Sequence, residues 1–169
     1  MITIRPISIL SKDMPVCIAL DVYPGQEKFV ADNAYSLAQA YDTNKERAET
    51  GEGSIAVPYA VYENDTMVGF VMYGYFQPDP EDDENYDNHN PVYYIWRLLI
   101  DKNHQRRGIG NEAVRLVMEE IKRKPQGEAT HCYVSYVPEN IGSKMTFAKY
   151  GFEEDGREMG GETVARFAL

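Results

Sequence analysis

The sequence predicts an α/β (α+β) fold: a mixed central sheet of six to seven strands with about four helices on its faces. Three observations carry this. Segments rich in Val, Ile, Tyr and Phe recur between turn residues, as strands do. Between them lie stretches whose apolar residues repeat at helical spacing. The chain of 169 residues suffices for one hydrophobic core, and neither a linker nor an internal repeat divides it. Residues 1–169 are therefore expected to form a single domain.

The elements follow in order. Thr3 to Pro6 reads as a first strand. Asp13 to Tyr23 has apolar residues at Val16, Ile18, Ala19, Leu20 and Val22 and reads as a helix stopped by Pro24-Gly25. Asn33 is placed to cap a second helix running through Leu37 and Ala40 to about Tyr41. Ala56 to Glu63 and Met67 to Phe76, separated by Asn64-Asp65-Thr66, suggest a hairpin. An acidic loop from Gln77 to Asn90 leads to the clearest strand, Val92 to Ile100. Gly108 to Lys122 is the clearest helix, with Ile109, Ala113, Leu116, Val117 and Ile121 on one side and Asn111, Glu112, Arg115, Glu119 and Lys122 polar. Thr130 to Val137 is a strand. Asn140 to Lys149 is a helix with Ile141, Met145 and Ala148 as its apolar stripe. Phe152 to Glu154 and Thr163 to Phe167 close the sheet. The order is β-α-α-β-β-β-α-β-α-β-β.

Composition narrows the class. Hydrophobic residues make up 43%, and no apolar run reaches the length of a membrane span. The start, Met-Ile-Thr-Ile-Arg, carries no long apolar signal region, so a soluble, cytoplasmic protein is expected. A formal charge of -10 argues against nucleic acid or an anionic membrane as partner and is compatible with a cationic substrate. Cys17 and Cys132 are far apart and read as two buried thiols. His89, His104 and His131 are scattered, so no metal site is expected.

The stretch that carries chemistry is Gln105-Arg106-Arg107-Gly108-Ile109-Gly110. It follows a strong strand and opens a strong helix. A helix N-terminus offers unpaired backbone N–H groups and a partial positive charge. Glycines let the backbone approach an anion without a Cβ in the way, and two arginines add cationic donors. This is a diphosphate cradle in outline. The Gly-Lys-Ser/Thr ending of a Walker loop is missing, as is a complete G-x-G-x-x-G framed by an early β-α-β unit.

Leu98-Leu99-Ile100-Asp101-Lys102-Asn103-His104 followed by Gln105 to Gly110 resembles the acetyl-CoA motif of GNAT acetyltransferases, Q/R-x-x-G-x-G/A. Asn140 with Gly151-Phe152 resembles the family's second motif, and the element order matches the GNAT fold over nearly the whole chain. The resemblance implies that the backbone of Leu98 to Ile100 pairs with the pantetheine arm like an added strand, and that an N–H there polarises the thioester carbonyl. It implies that Gln105, Arg106, Arg107, Gly108, Ile109, Gly110 and Asn111 hold the diphosphate, and that Asn140 contacts CoA. Phe147 lies on the Asn140 face of that helix, because residues seven apart differ by only about 20° in direction. No metal is implied.

In many GNAT members the residue seven after the motif Asn is a tyrosine that acts as acid. Here it is Phe147, a departure that leaves Tyr150, or water, to protonate the thiolate. Tyr150 reads first as a packed tyrosine before Gly151-Phe152. The base stays open among Glu27, the acidic-loop carboxylates, and Tyr94 or Tyr136 acting through water. Gln26 to Ala40, together with Tyr94-Ile95-Trp96-Arg97, is similar to bacterial spermine/spermidine and diamine acetyltransferases. This makes Glu27, Tyr94 and Trp96 the candidate acceptor contacts and a polyamine the expected acceptor. Pro80-Glu81-Asp82-Asp83-Glu84 would attract such a cation, or serve only as a solvated loop. Two alternatives remain: a GNAT enzyme for another small amine or a protein N-terminus, and a non-catalytic acyl-CoA-binding regulator. A homodimer is left open.

Overall fold

The computed structural model describes residues 1–7, 12–81 and 86–169. Asp82, Asp83 and Glu84 of the acidic loop lie outside the described residues. Seven strands form one mixed sheet: β1 (Ile2–Pro6), β2 (Ile55–Glu63), β3 (Thr66–Phe76), β4 (Val92–Ile100), β5 (His131–Tyr136), β6 (Glu153–Met159) and β7 (Glu162–Ala168). Four α-helices accompany them: α1 (Asp13–Ala19), α2 (Asn33–Thr50), α3 (Ile109–Ile121) and α4 (Ile141–Tyr150). The spatial order is β1-β2-β3-β4-β5-β7-β6, antiparallel throughout except for the parallel pair β4–β5. The expected order of elements and the mixed sheet are met.

The helices differ from their sequence outlines in instructive ways. α1 stops at Ala19, where Leu20 turns extended, so Pro24-Gly25 acts only in the connection that follows. The cap of α2 is Asp32, whose carboxylate accepts from the Tyr35 N–H at 2.7 Å. Asn33 is instead the first helical residue, buried, and its amide donates to the Cys17 carbonyl at 2.8 Å, tying α2 to α1. α2 also runs past Tyr41 to Thr50 before Gly51, at φ 78°, ends it in the left-handed conformation. Residues 41–50 lack an apolar stripe, but Lys45 to Glu49 are all good helix formers, and Lys45 pairs with Glu49 one turn on.

On α4 the expected stripe faces outward. Ile141 is 56% and Met145 67% exposed, while Phe147 is the buried residue, stacked on Tyr136 and edge-on to Phe152. β6 is longer than expected because Gly160-Gly161, both with positive φ, make a tight hairpin turn into β7.

One face of the sheet packs on α3 and α4 through Tyr73, Tyr93, Ile95, Val114, Val117 and Phe147. The other packs on α1 and α2 through Cys17, Ala40, Phe70, Met72 and Leu99. Both cysteines are free and buried. Burial, then the nearby Asp13 charge, pushes the Cys17 thiol up to about 11, and burial pushes Cys132 up as well.

Candidate active site

The site begins with a failure of pairing. β4 and β5 are matched only at Tyr93–Cys132 and Tyr94–Tyr133, and beyond Tyr94 the two strands separate. A bulge opposite Met72/Tyr73 leaves Trp96 unmatched on β4. Ile95 to Ile100 therefore keep one edge bonded to β3 and turn the other toward a cleft of about 690 Å³. Val134, Ser135 and Tyr136 of β5 form the opposite wall. A free strand edge presents unpaired N–H and C=O groups, which an extended ligand can use as a strand would.

The N-terminus of α3 closes one end. Gly108 caps it at φ 78°, and Arg106 before it is also left-handed at φ 59°. A Cβ built on Gly108 would meet no atom within 4 Å, and one on Gly110 only Ile100 Cγ1 at 3.8 Å. The space above both glycines is open, and the first turn of α3 points its N–H groups into it. The Asn111 side-chain oxygen at the cleft is buried without a hydrogen-bond partner. These features fit a diphosphate followed by an extended amide-containing arm. Gln105, Arg106, Gly108, Ile109, Gly110 and Asn111 line the cleft with Leu98, Leu99 and Ile100. Asn140 also lines it while accepting from the Ser143 N–H at 3.1 Å as the cap of α4, and Phe147 adds an apolar patch.

Two expected residues lie elsewhere. Arg107 is outside the lining, its guanidinium donating to Glu63 Oε1 at 2.8 Å and lying 3.1 Å from His104 Nδ1. Its partner on β2 holds it away from the cradle. Tyr150 is also outside: its ring packs 5.4 Å from Phe167 and 6.2 Å from Phe152, with Lys122 Nζ 5.3 Å above it. At the end of α4 it has turned toward the β7 side of the core.

The other end of the cleft is walled by the α1–α2 connection, with Gln26, Glu27, Lys28 and Phe29, and by Tyr94 and Trp96. Gln105 ties the two ends together: its Nε2 donates to Ile100 O at 3.0 Å and to Gln26 Oε1 at 2.8 Å. Lys102 and Asp21 make a second tie, Nζ to Oδ2 at 2.8 Å.

Several residues at this end gave little sign in the sequence. Arg97, half-buried, donates to Gln39 Oε1 at 2.7 Å and to Trp96 O at 2.8 Å, with its Nε unpartnered, and burial lowers its pKa. The Ser135 hydroxyl donates to the Glu162 carboxylate and stands 2.9 Å from the Tyr94 oxygen and 3.2 Å from that of Tyr86. Burial raises the Tyr94 pKa, so it stays a neutral phenol near pH 7. Tyr136, across the cleft, is pushed up to about 12 by burial and by its hydrogen bond to Glu154. The Gly160-Gly161 turn is readable in the sequence. That β7 lies between β5 and β6, which brings Glu162 to the cleft, is not.

A model of the Acetyltransferase (GNAT) family matches residues 22–152. The chain belongs to this family. It is 32% identical over 111 residues to a probable spermine N(1)-acetyltransferase of Bacillus subtilis subsp. natto, and 31% identical over 111 residues to the spermine/spermidine N(1)-acetyltransferase of Bacillus subtilis. Each alignment spans 63% of this chain and 66% of the relative, just under two thirds of the relative's length. Among solved structures, an aminoglycoside acetyltransferase in complex with coenzyme A superposes with a TM-score of 0.70 at 17% identity, covering 99% of this chain and 95% of that one. The PaiA N-acetyltransferase of Thermoplasma acidophilum in complex with coenzyme A gives 0.62 at 14%, covering 100% and 99%. At these identities the likeness is one of fold.

Proposed function

We propose that this GNAT chain transfers the acetyl group of acetyl-CoA to an amine nitrogen of a polyamine or diamine. The observation that carries the transfer is the cleft where β4 and β5 part, with an open helix N-terminus at one end and an aromatic, carboxylate-bearing wall at the other. Acetyl-CoA supplies an activated acyl group when bound. The chain's own part is to hold and orient it. The first turn of α3 and Arg106 face the diphosphate, and the free edge of Leu98 to Ile100 takes the pantetheine amides. An N–H on that edge polarises the thioester carbonyl.

The amine must reach the thioester neutral, so the acceptor wall receives one proton. Tyr94 and Tyr136, both with raised pKa values, are poor final bases and better relays to a carboxylate or to water. Phe147 has no proton to give, and Tyr150 packs away from the cleft. Protonation of the leaving thiolate is assigned to water in the open cleft.

Two findings support a polyamine: the names of the Bacillus relatives, and the carboxylates Glu27 and Glu162 on the acceptor wall. One observation favours a second reading. Arg97 has no carboxylate partner among the described residues, which would suit an acceptor carrying its own carboxylate. A thiol-release assay comparing kcat/KM for spermidine, an aminoglycoside and α-amino acids separates them. Spermidine is expected to lead. An α-amino acid used as well or better would move the acceptor to the Arg97 reading.

A further inference from the structure

We propose that Glu162 determines acceptor specificity by docking a second, still-protonated ammonium group of the acceptor. The inference rests on the amine-acetylation reading above and says which amines that site prefers.

Glu162 is the first residue of β7, directly after the Gly160-Gly161 turn, and it lines the cleft. Its carboxylate accepts from the Ser135 hydroxyl through Oε2. A serine hydroxyl has one proton and two lone pairs. Because that proton goes to Glu162, the Tyr94 and Tyr86 hydroxyls must donate to the Ser135 oxygen, at 2.9 and 3.2 Å. Every proton in the cluster is thus directed inward to the serine or onward to the carboxylate. What remains on offer to the cleft is a set of acceptors: the Tyr94 lone pairs and Glu162 Oε1, which has no donor among the described residues.

The carboxylate is half-buried and in no ion pair among the described residues. Arg97 acts on it only through space, its two terminal nitrogens donating to Gln39 and Trp96 O and its Nε unpartnered. A held carboxylate surrounded by lone pairs suits a group that is positive and rich in donors. An ammonium carries three N–H donors and no acceptor. The rings of Tyr94 and Trp96, which also line the cleft, offer faces to the methylenes that join two amines, and to the cation itself.

The chemistry requires this separation. The attacking nitrogen must be neutral, whereas a second amine with an ordinary pKa remains charged at pH 7. Only an acceptor with two amino groups can use both the thioester and Glu162.

The test compares diaminobutane with butylamine, which differ by that one group, at saturating acetyl-CoA. Wild type is expected to favour the diamine in kcat/KM. Glu162→Gln keeps an oxygen for Ser135 while it removes the charge and puts an NH2 donor in place of the second acceptor oxygen. In that variant the diamine-to-monoamine ratio should fall roughly tenfold, chiefly through KM for the diamine, in keeping with the strength of a charge-assisted hydrogen bond. Glu162→Asp should restore part of the ratio. A ratio equal to that of wild type overturns the proposal, including the case in which kcat falls equally for both amines, the signature of a general base. Calorimetric binding of diaminobutane to the CoA complex decides the matter without turnover. Weaker binding by Glu162→Gln supports the docking role, and equal affinity refutes it. If wild type acetylates neither amine yet this difference in binding appears, the transfer reading fails while the cation site stands.

Discussion

Gly108→Asp separates the cofactor cradle from the fold that carries it. Gly108 sits at φ 78°, and a Cβ there meets nothing within 4 Å, so the folded chain has room for the side chain. The cost to the fold is backbone strain of about 1–2 kcal/mol, and aspartate tolerates the left-handed region better than most residues. For a chain of this length that corresponds to a fall in Tm of roughly 2–8 °C. The cost to binding is larger. Gly108 is exposed, so water screens the new charge, and a carboxylate about 4 Å from each of two phosphate charges loses about 1 kcal/mol apiece. About 2 kcal/mol is roughly thirtyfold in Kd, before any steric loss is added. Calorimetry with acetyl-CoA on wild type, Gly108→Asp and Gly108→Ala reads the difference. The alanine variant carries the strain without the charge and should bind more tightly than the aspartate variant. Wild-type affinity in Gly108→Asp would mean that the phosphates bind elsewhere.

Three further outcomes follow from particular contacts. Tyr150→Phe should keep kcat within about threefold, since the hydroxyl has no hydrogen bond among the described residues and the ring packs outside the cleft; a fall of about tenfold or more in steady-state turnover, the lower end of general-acid effects, would return Tyr150 to the chemistry. Gly69→Ala places a Cβ 2.6 Å from the Leu99 carbonyl and 2.7 Å from Ile100 Cδ1, which pushes β4 away from β3. It should cost about 1–3 kcal/mol in denaturant unfolding and raise KM for acetyl-CoA, and an unchanged unfolding midpoint would refute the close approach. Asp155 is raised by burial but lowered more by the Arg157 side-chain and backbone hydrogen bonds, so its folded pKa lies below the unfolded value. Its stabilisation is present above about pH 4 and is lost as the pH falls through the folded pKa; Tm in Asp155→Asn should decline less steeply below pH 4 than in wild type, and parallel curves would contradict the linkage.

The sequence carried the elements whose signal is local. The strand–glycine–helix run from Val92 to Ile121 is visible because strand composition, turn chemistry and helical periodicity change within a few residues. Local signals mislead where two choices are nearly equal, as with Asp32 and Asn33. Either can cap a helix, and burial of Asn33 against α1 decides between them. The stripe of Ile141, Met145 and Ala148 follows correct periodicity, yet Phe147 anchors α4 because it fits between Tyr136 and Phe152. Arg107 reads like Arg106 in the sequence, and the distant Glu63 on β2, together with His104, draws it out of the cradle. The parting of β4 from β5 and the arrival of Glu162 beside Ser135 depend on strand order, which has no local signature.

The most direct test of acetyl transfer in this cleft is a stoichiometry. Purified protein is incubated with acetyl-CoA and spermidine, and free CoA thiol and acetylated amine are counted together, the first by a colorimetric thiol reagent and the second by mass spectrometry. Equal amounts of the two are expected, both dependent on protein and both strongly reduced in Gly108→Asp at acetyl-CoA concentrations near the wild-type Kd. Thiol release without acetylated amine, or neither product with any amine offered, would contradict it.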